Sequence, residues 1–139
     1  MVQRDVAGQK IARVMAYLAD AEPVLRRPRA DFLGDRKERD LAMFYLFLAI
    51  QGCIDLASHW IADENLPPAD DYGGSFRVLS DHGRIDAGLA GQMAAAAGLR
   101  NLIAHGYATI DAARVHEEAP GGIDAMRRFM DVVARIAGS

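Results

Sequence analysis

Apolar residues recur at helical spacing along almost the whole chain. Val6, Ile11, Val14, Leu18 and Leu25 mark one face of a first helix over residues 2–26, and Pro28 in RRPRAD closes it. A second helix is expected to begin after Gly34 and reach about Glu64, where Asn65 and the Pro67–Pro68 pair end it. The polar stretch NLPPADDYGG separates it from a short helix, SFRVLSD, stopped by His82 and Gly83. A fourth helix fits residues 86–105, with Asp86 at its N-terminus and Gly106 at its end. The remainder reads as residues 111–118 and 122–136, which Pro120–Gly121–Gly122 either separates or merely kinks. No repeat, low-complexity tract, linker or Asn-Gly hairpin signal interrupts this pattern. The expected fold is all-α, a bundle of four long helices plus one short helix, with residues 1–139 as a single domain.

Composition narrows the class. Sixteen Lys/Arg against nineteen Asp/Glu leave a net charge of −3, which excludes a globally basic nucleic-acid coat. A hydrophobic share of 51% excludes a disordered tail. The lone Cys53 excludes a disulfide framework and suits a reducing compartment. The opening MVQRDVAGQKIARV has no apolar signal-like core, and the longest apolar run, LAMFYLFLAI, is ten residues, too few to span a bilayer. A soluble, cytoplasmic protein without a membrane segment is therefore expected. The second and fourth helices carry apolar residues on more than one face, more than a small bundle buries. Two arrangements account for that excess: a helix-mediated homodimer, or a central helix in a five-helix monomer.

The fourth helix divides into two faces. Ile85, Leu89, Met93, Ala96, Leu99 and Ile103 form a bulky stripe that also holds Arg100. Ala87, Ala90, Gly91, Ala94 and Gly98 form a face of small residues continued by Asn101 and His105. Periodicity leaves two readings open. The arginine, asparagine and histidine make a site, or Arg100 snorkels to solvent and His105 is a cation at a helix C-terminus.

Residues 100–107 read RNLIAHGY, an Arg-x-x-x-x-His-x-Tyr pattern with Asn directly after the Arg. This string resembles the signature of the HEPN superfamily, in particular the HepT-like toxins of two-gene toxin–antitoxin modules. The resemblance extends through AIQGCIDLASHWIADENLPPADDYGGSF and SDHGRIDAGLAGQMAAAAGLRNLIAHGYATID, more than half the chain. It implies a homodimer whose two motifs meet in a composite cleft, and a metal-independent endoribonuclease that needs no cofactor. Carried onto this chain, the catalytic residues are Arg100 and His105, with Asn101 supporting them. The chemistry suits those residue types. Attack of an RNA 2′-hydroxyl on the adjacent phosphate needs a proton acceptor, a proton donor and a cation for the charge on phosphorus. The resemblance also implies a partner, a minimal nucleotidyltransferase antitoxin that attaches AMP to Tyr107. A rival of another class is a non-catalytic subunit whose helical face scaffolds that nucleotidyltransferase.

Weaker features complete the inventory. Gln51, Asp55, Ser58 and His59 form a polar line on the second helix. Asp55 and His59 alone make no metal site, and hydrogen bonding to each other or to the cleft is the expectation. His82 and His116 adjoin helix ends and are expected to be solvated. The segment 26–40 holds six basic and four acidic residues, a pattern expected of a solvated helix start.

Overall fold

Six α-helices account for the regular structure among the described residues, 4–105 and 111–138 of a computed structural model. They are α1 (Arg4–Leu25), α2 (Arg29–Gly34), α3 (Arg36–Asp63), α4 (Tyr72–Asp81), α5 (Ala87–His105) and α6 (Ala112–Ala137). The all-α bundle and its four long helices match the expectation. Two details differ, and a third decides between alternatives that the sequence leaves open.

The first is α2. Pro28 ends α1 and also starts a further turn, for the Phe32 N–H donates to the Pro28 carbonyl at 3.0 Å. Wholly buried Phe32 anchors that turn. The second is α4, which begins at Tyr72 rather than Ser75. Asp71 caps it, its Oδ1 accepting from the Gly74 N–H at 2.5 Å, so the two glycines become helical. The third is α6, one helix through Pro120. Proline withholds the N–H that would serve the His116 carbonyl. Buried Ala119 and Ile123 hold the helix together across the gap by packing.

The remaining boundaries follow from local chemistry. Asp86 caps α5 through the Leu89 N–H at 2.6 Å, and Asp111 caps α6 through the Arg114 N–H at 3.1 Å. Helices α3 and α4 end alike, each with one residue in the left-handed region: Asn65 at φ 55° and Gly83 at φ 72°. The following N–H groups reach back five residues, Leu66 to Ile61 at 3.0 Å and Arg84 to Leu79 at 2.8 Å.

Helix α3 runs along the core. It packs against α1, α4, α5 and α6, and α5 also contacts α4 and α6. Trp60, Leu46, Ile50, Met93 and Leu18 are fully buried, and Phe76 meets Phe129 edge-on at 5.2 Å. Burying each such side chain contributes about 1.5–3 kcal/mol. Helix α3 is long and apolar enough to cross a membrane by length and composition, yet half of its most apolar stretch is buried inside the bundle. Some of its apolar surface stays outside. Leu41 and Phe44 are 45% and 52% exposed, and Tyr72 at the start of α4 is 43% exposed.

Candidate functional site

The bulky stripe of α5 faces the core as its spacing predicts, with Leu89, Met93, Ala96, Leu99 and Ile103 all buried. Helical rotation then leaves Arg100 half-buried at the edge of that contact, where α3 and the start of α4 converge on it. Four groups hold its guanidinium. Nε donates to Gln51 Oε1 on α3 at 2.9 Å, and Nη1 donates to Asn101 Oδ1 at 3.0 Å. The ring of Phe47 lies 5.0 Å from the guanidinium carbon on one side, and the ring of Tyr72 lies 4.8 Å from it. Among the described residues no carboxylate pairs with Arg100.

That choice of partners has a chemical consequence. Amide oxygens and aromatic faces fix the plane of the guanidinium without cancelling its charge. An arginine so placed presents an undiminished cation, with donors in fork geometry, to an anion arriving from solvent. Gln51 is itself oriented, since its Nε2 donates to Asp55 Oδ1 at 3.1 Å, and Asp55 Oδ2 lies 3.8 Å from Lys10 Nζ on α1. A continuous polar chain therefore runs from Lys10 through Asp55 and Gln51 to Arg100 and Asn101.

Arg100 and Asn101 are thus brought together. His105 closes α5, so it stands on the same helix just over one turn beyond Arg100; its side chain lies outside the described residues. Tyr107 and Gly106 lie outside the described residues as well. Phe47 and Tyr72 were not anticipated as site residues, and Gln51 was read only as one member of a polar line. Their sole signal is amphipathic misfit, polar or aromatic side chains at half-exposed positions of otherwise apolar helices.

The secondary candidates resolve differently. Asp55 bonds to Gln51 and Lys10 rather than to His59. No cluster of three or more His, Cys, Asp or Glu side chains suited to a metal occurs among the described residues. His82 caps α4, Nδ1 lying 2.9 Å from the Val78 carbonyl oxygen, and is exposed as expected. His116 departs from expectation. It is half-buried, with Nε2 2.6 Å from the Arg27 carbonyl oxygen and its ring 5.1 Å from that of Phe32. It therefore ties α6 to the α1–α2 junction, which the unforeseen α2 makes possible.

Comparison with known proteins places these features in context. The family profile described as Ribonuclease HepT-like matches residues 14–133. No curated protein sequence matches the chain. Among solved structures, the chain is similar to a tri-AMPylated Shewanella oneidensis HEPN toxin in complex with MNT antitoxin. The identity is 22%, over 94% of this chain and 98% of that one, with a TM-score of 0.80. It is also similar to a toxin–antitoxin crystallised with AMP-PNP, at 22% identity over 94% and 98% of the two chains, with a TM-score of 0.78.

Proposed function

The chain belongs to the ribonuclease HepT-like family, and from that premise we propose that it is the toxin of a toxin–antitoxin pair, a metal-independent endoribonuclease acting in the cytoplasm. Residues 1–139 act as one domain in a homodimer, and the substrate RNA lies in a cleft between the two protomers. One observation carries the reading: Arg100 is oriented by two amide oxygens and two rings, with its charge left for a phosphate.

In this mechanism the 2′-hydroxyl oxygen attacks the adjacent phosphorus and the bond from phosphorus to the 5′-oxygen breaks. The products are a 2′,3′-cyclic phosphate and a free 5′-hydroxyl. Neutral His105 of one protomer takes the 2′-hydroxyl proton, and the imidazolium of the other protomer gives a proton to the departing 5′-oxygen. Arg100 neutralises the charge that builds on the non-bridging oxygens. Asn101 holds one arm of Arg100 and does not react, a role its 3.0 Å hydrogen bond supports. The exposed Leu41 and Phe44 on α3, and the exposed Tyr72 whose ring meets Arg100, support a cleft completed by a second copy.

Tyr107 is the regulatory residue in this reading. A cognate nucleotidyltransferase attaches AMP to its hydroxyl, and the added phosphate and nucleoside keep RNA out. The similarity to an AMPylated HEPN toxin bound to MNT antitoxin supports this step. The test is cleavage of labelled RNA by the purified chain with and without EDTA, alongside His105→Ala and Tyr107→Phe. Cleavage that survives EDTA, is lost in His105→Ala, and persists in Tyr107→Phe after treatment with the partner and ATP is the expected pattern. Cleavage unaffected by His105→Ala would overturn the assignment. An inactive wild-type chain that binds the nucleotidyltransferase would favour the scaffold role instead.

A further inference from the structure

Resting on the ribonuclease reading, we infer that a pocket between α1 and α3, next to Arg100, is a second phosphate subsite that takes a neighbouring phosphodiester of the same single-stranded RNA. Lys10, Arg13, Tyr17, Gln51 and Asp55 line it, and its volume is about 170 Å³. Lys10, Arg13 and Tyr17 share one face of α1 by their spacing of three and four residues. Gln51 is common to both places. It forms part of the pocket wall, and its Oε1 accepts from Arg100 Nε. One amide side chain therefore separates the pocket from the arginine assigned to the scissile phosphate.

The charges favour an anion. Arg13 is exposed and has no acidic partner among the described residues. Lys10 reaches Asp55 only at 3.8 Å, a loose pair between side chains that are 31% and 43% exposed. Two cations against one carboxylate give this spot a positive balance in a chain whose net charge is −3. A local patch of that sign is what an acidic protein needs to collect a polyanion.

Size selects the group. The volume lies below the roughly 300 Å³ at which pockets for whole small-molecule ligands begin. The floor is closed because α1 and α3 touch there, a Cβ built on Gly52 falling 2.5 Å from Val14 Cγ2. A volume of about 170 Å³ suits a phosphate group better than a complete nucleotide. The occupant is therefore one link of a longer chain, held while the next link meets Arg100.

The test uses the full chain and a fluorescent 2′-O-methyl RNA dodecamer, which lacks the attacking hydroxyl, with affinity read by anisotropy over a salt series. The double variant Lys10→Ala/Arg13→Ala is expected to bind at least tenfold more weakly, with the salt dependence of log K shallower by about 0.7–1.4. Arg36→Ala/Lys37→Ala, which removes the same charge from exposed positions at the start of α3, is expected to stay within twofold. Lys10→Arg/Arg13→Lys is expected to recover most of the affinity, and circular dichroism checks that each variant is folded. Equal losses in the two alanine pairs, or no loss in either, would overturn the subsite. Unmodified RNA assayed in parallel separates this result from the reading beneath it. Binding that depends on Lys10 and Arg13 without any cleavage refutes the nuclease and keeps the subsite. Cleavage with binding indifferent to both residues does the reverse, and a chain that neither binds nor cuts refutes both.

Discussion

Two arginines of this molecule are fixed with equal care and opposite effect. Arg127 on α6 grips Glu22 of α1 through two parallel bonds, Nη2 to Oε1 at 2.6 Å and Nη1 to Oε2 at 2.9 Å. Arg26 adds a third bond, Nε to Oε2 at 2.8 Å. The Arg127 guanidinium, helped by Arg26, holds the Glu22 carboxyl down at about 2 against the partial burial that opposes it. Arg100 is held by amides and aromatic rings. The first arrangement cancels charge and joins two helices; the second preserves charge at a surface. Structural arginines in this fold meet carboxylates, as Arg84 also does at Glu64 with a distance of 2.6 Å. Arg100, fixed in place by amides and rings instead, is the candidate for chemistry.

The sharpest way to break this contrast is to remove the uncancelled cation. Arg100→Ala is expected to lower RNA cleavage by about 10³-fold or more, since an arginine acting on phosphoryl charge contributes on that scale. Its unfolding free energy should change by about 1 kcal/mol, the value of the lost ring contacts. Loss of activity through unfolding, detected by calorimetry, would count against the contrast.

A second variant converts one region into the other. Gln51→Glu places a carboxylate where Arg100 now meets an amide, imitating Glu22. Cleavage is expected to fall by about 10–100-fold while the melting temperature holds or rises slightly. Unchanged single-turnover rates would mean that the neutrality of this partner is incidental.

Only part of that contrast is legible in the sequence. Apolar spacing sustained over four or more turns identifies α1, α3 and α5, and Asp86 marks where α5 begins. Arg100 and Asn101 declare themselves in RNLIAHGY. The partners of Arg100 do not, because Gln51 is 49 positions away and Phe47 and Tyr72 meet the guanidinium only through packing. Helix α2 has six residues, too few for periodicity to register, and Gly73–Gly74 imitates a turn until Asp71 is seen to cap it. Pro120 is ambiguous alone, because proline inside a helix is decided by what is buried on either side.

The structural arginine invites the converse test. Glu22→Gln is expected to cost about 2 kcal/mol of unfolding free energy, or roughly 4–8 °C in melting temperature, with cleavage within twofold of wild type. The pH dependence has a definite sign. The carboxyl is lowered from 4.5 to about 2 on folding, so its contribution is complete above pH 4.5 and is lost as the pH falls towards 2. Acid titrations of wild type and Glu22→Gln should therefore converge below about pH 2. Curves that stay parallel throughout would remove Glu22 from the account of acid stability.

The smallest expected effect lies where α1 and α3 touch beneath the Arg100 region. Gly52→Ala gains helix propensity worth about 1 kcal/mol and loses about 1–3 kcal/mol to overpacking against Val14, which is buried and stiff at χ1. A net destabilisation of about 1 kcal/mol in urea unfolding is expected. A stabilised variant would show that the two helices separate readily, and with them the wall between Lys10 and Gln51.

The chain has one tryptophan, and its location makes it an optical instrument for the whole molecule. Trp60 is wholly buried near the end of α3, its indole N–H bonded to Glu64, and Glu64 also binds Arg84 beyond α4. Emission from that indole changes when α3 parts from the α4–α5 turn and water reaches the ring. Arg100 contacts α3 at Phe47 and Gln51, two to four turns earlier. Fluorescence should thus follow unfolding of the bundle while staying nearly silent to what occupies the cleft, so stability and ligand binding can be read in one cuvette as separate signals.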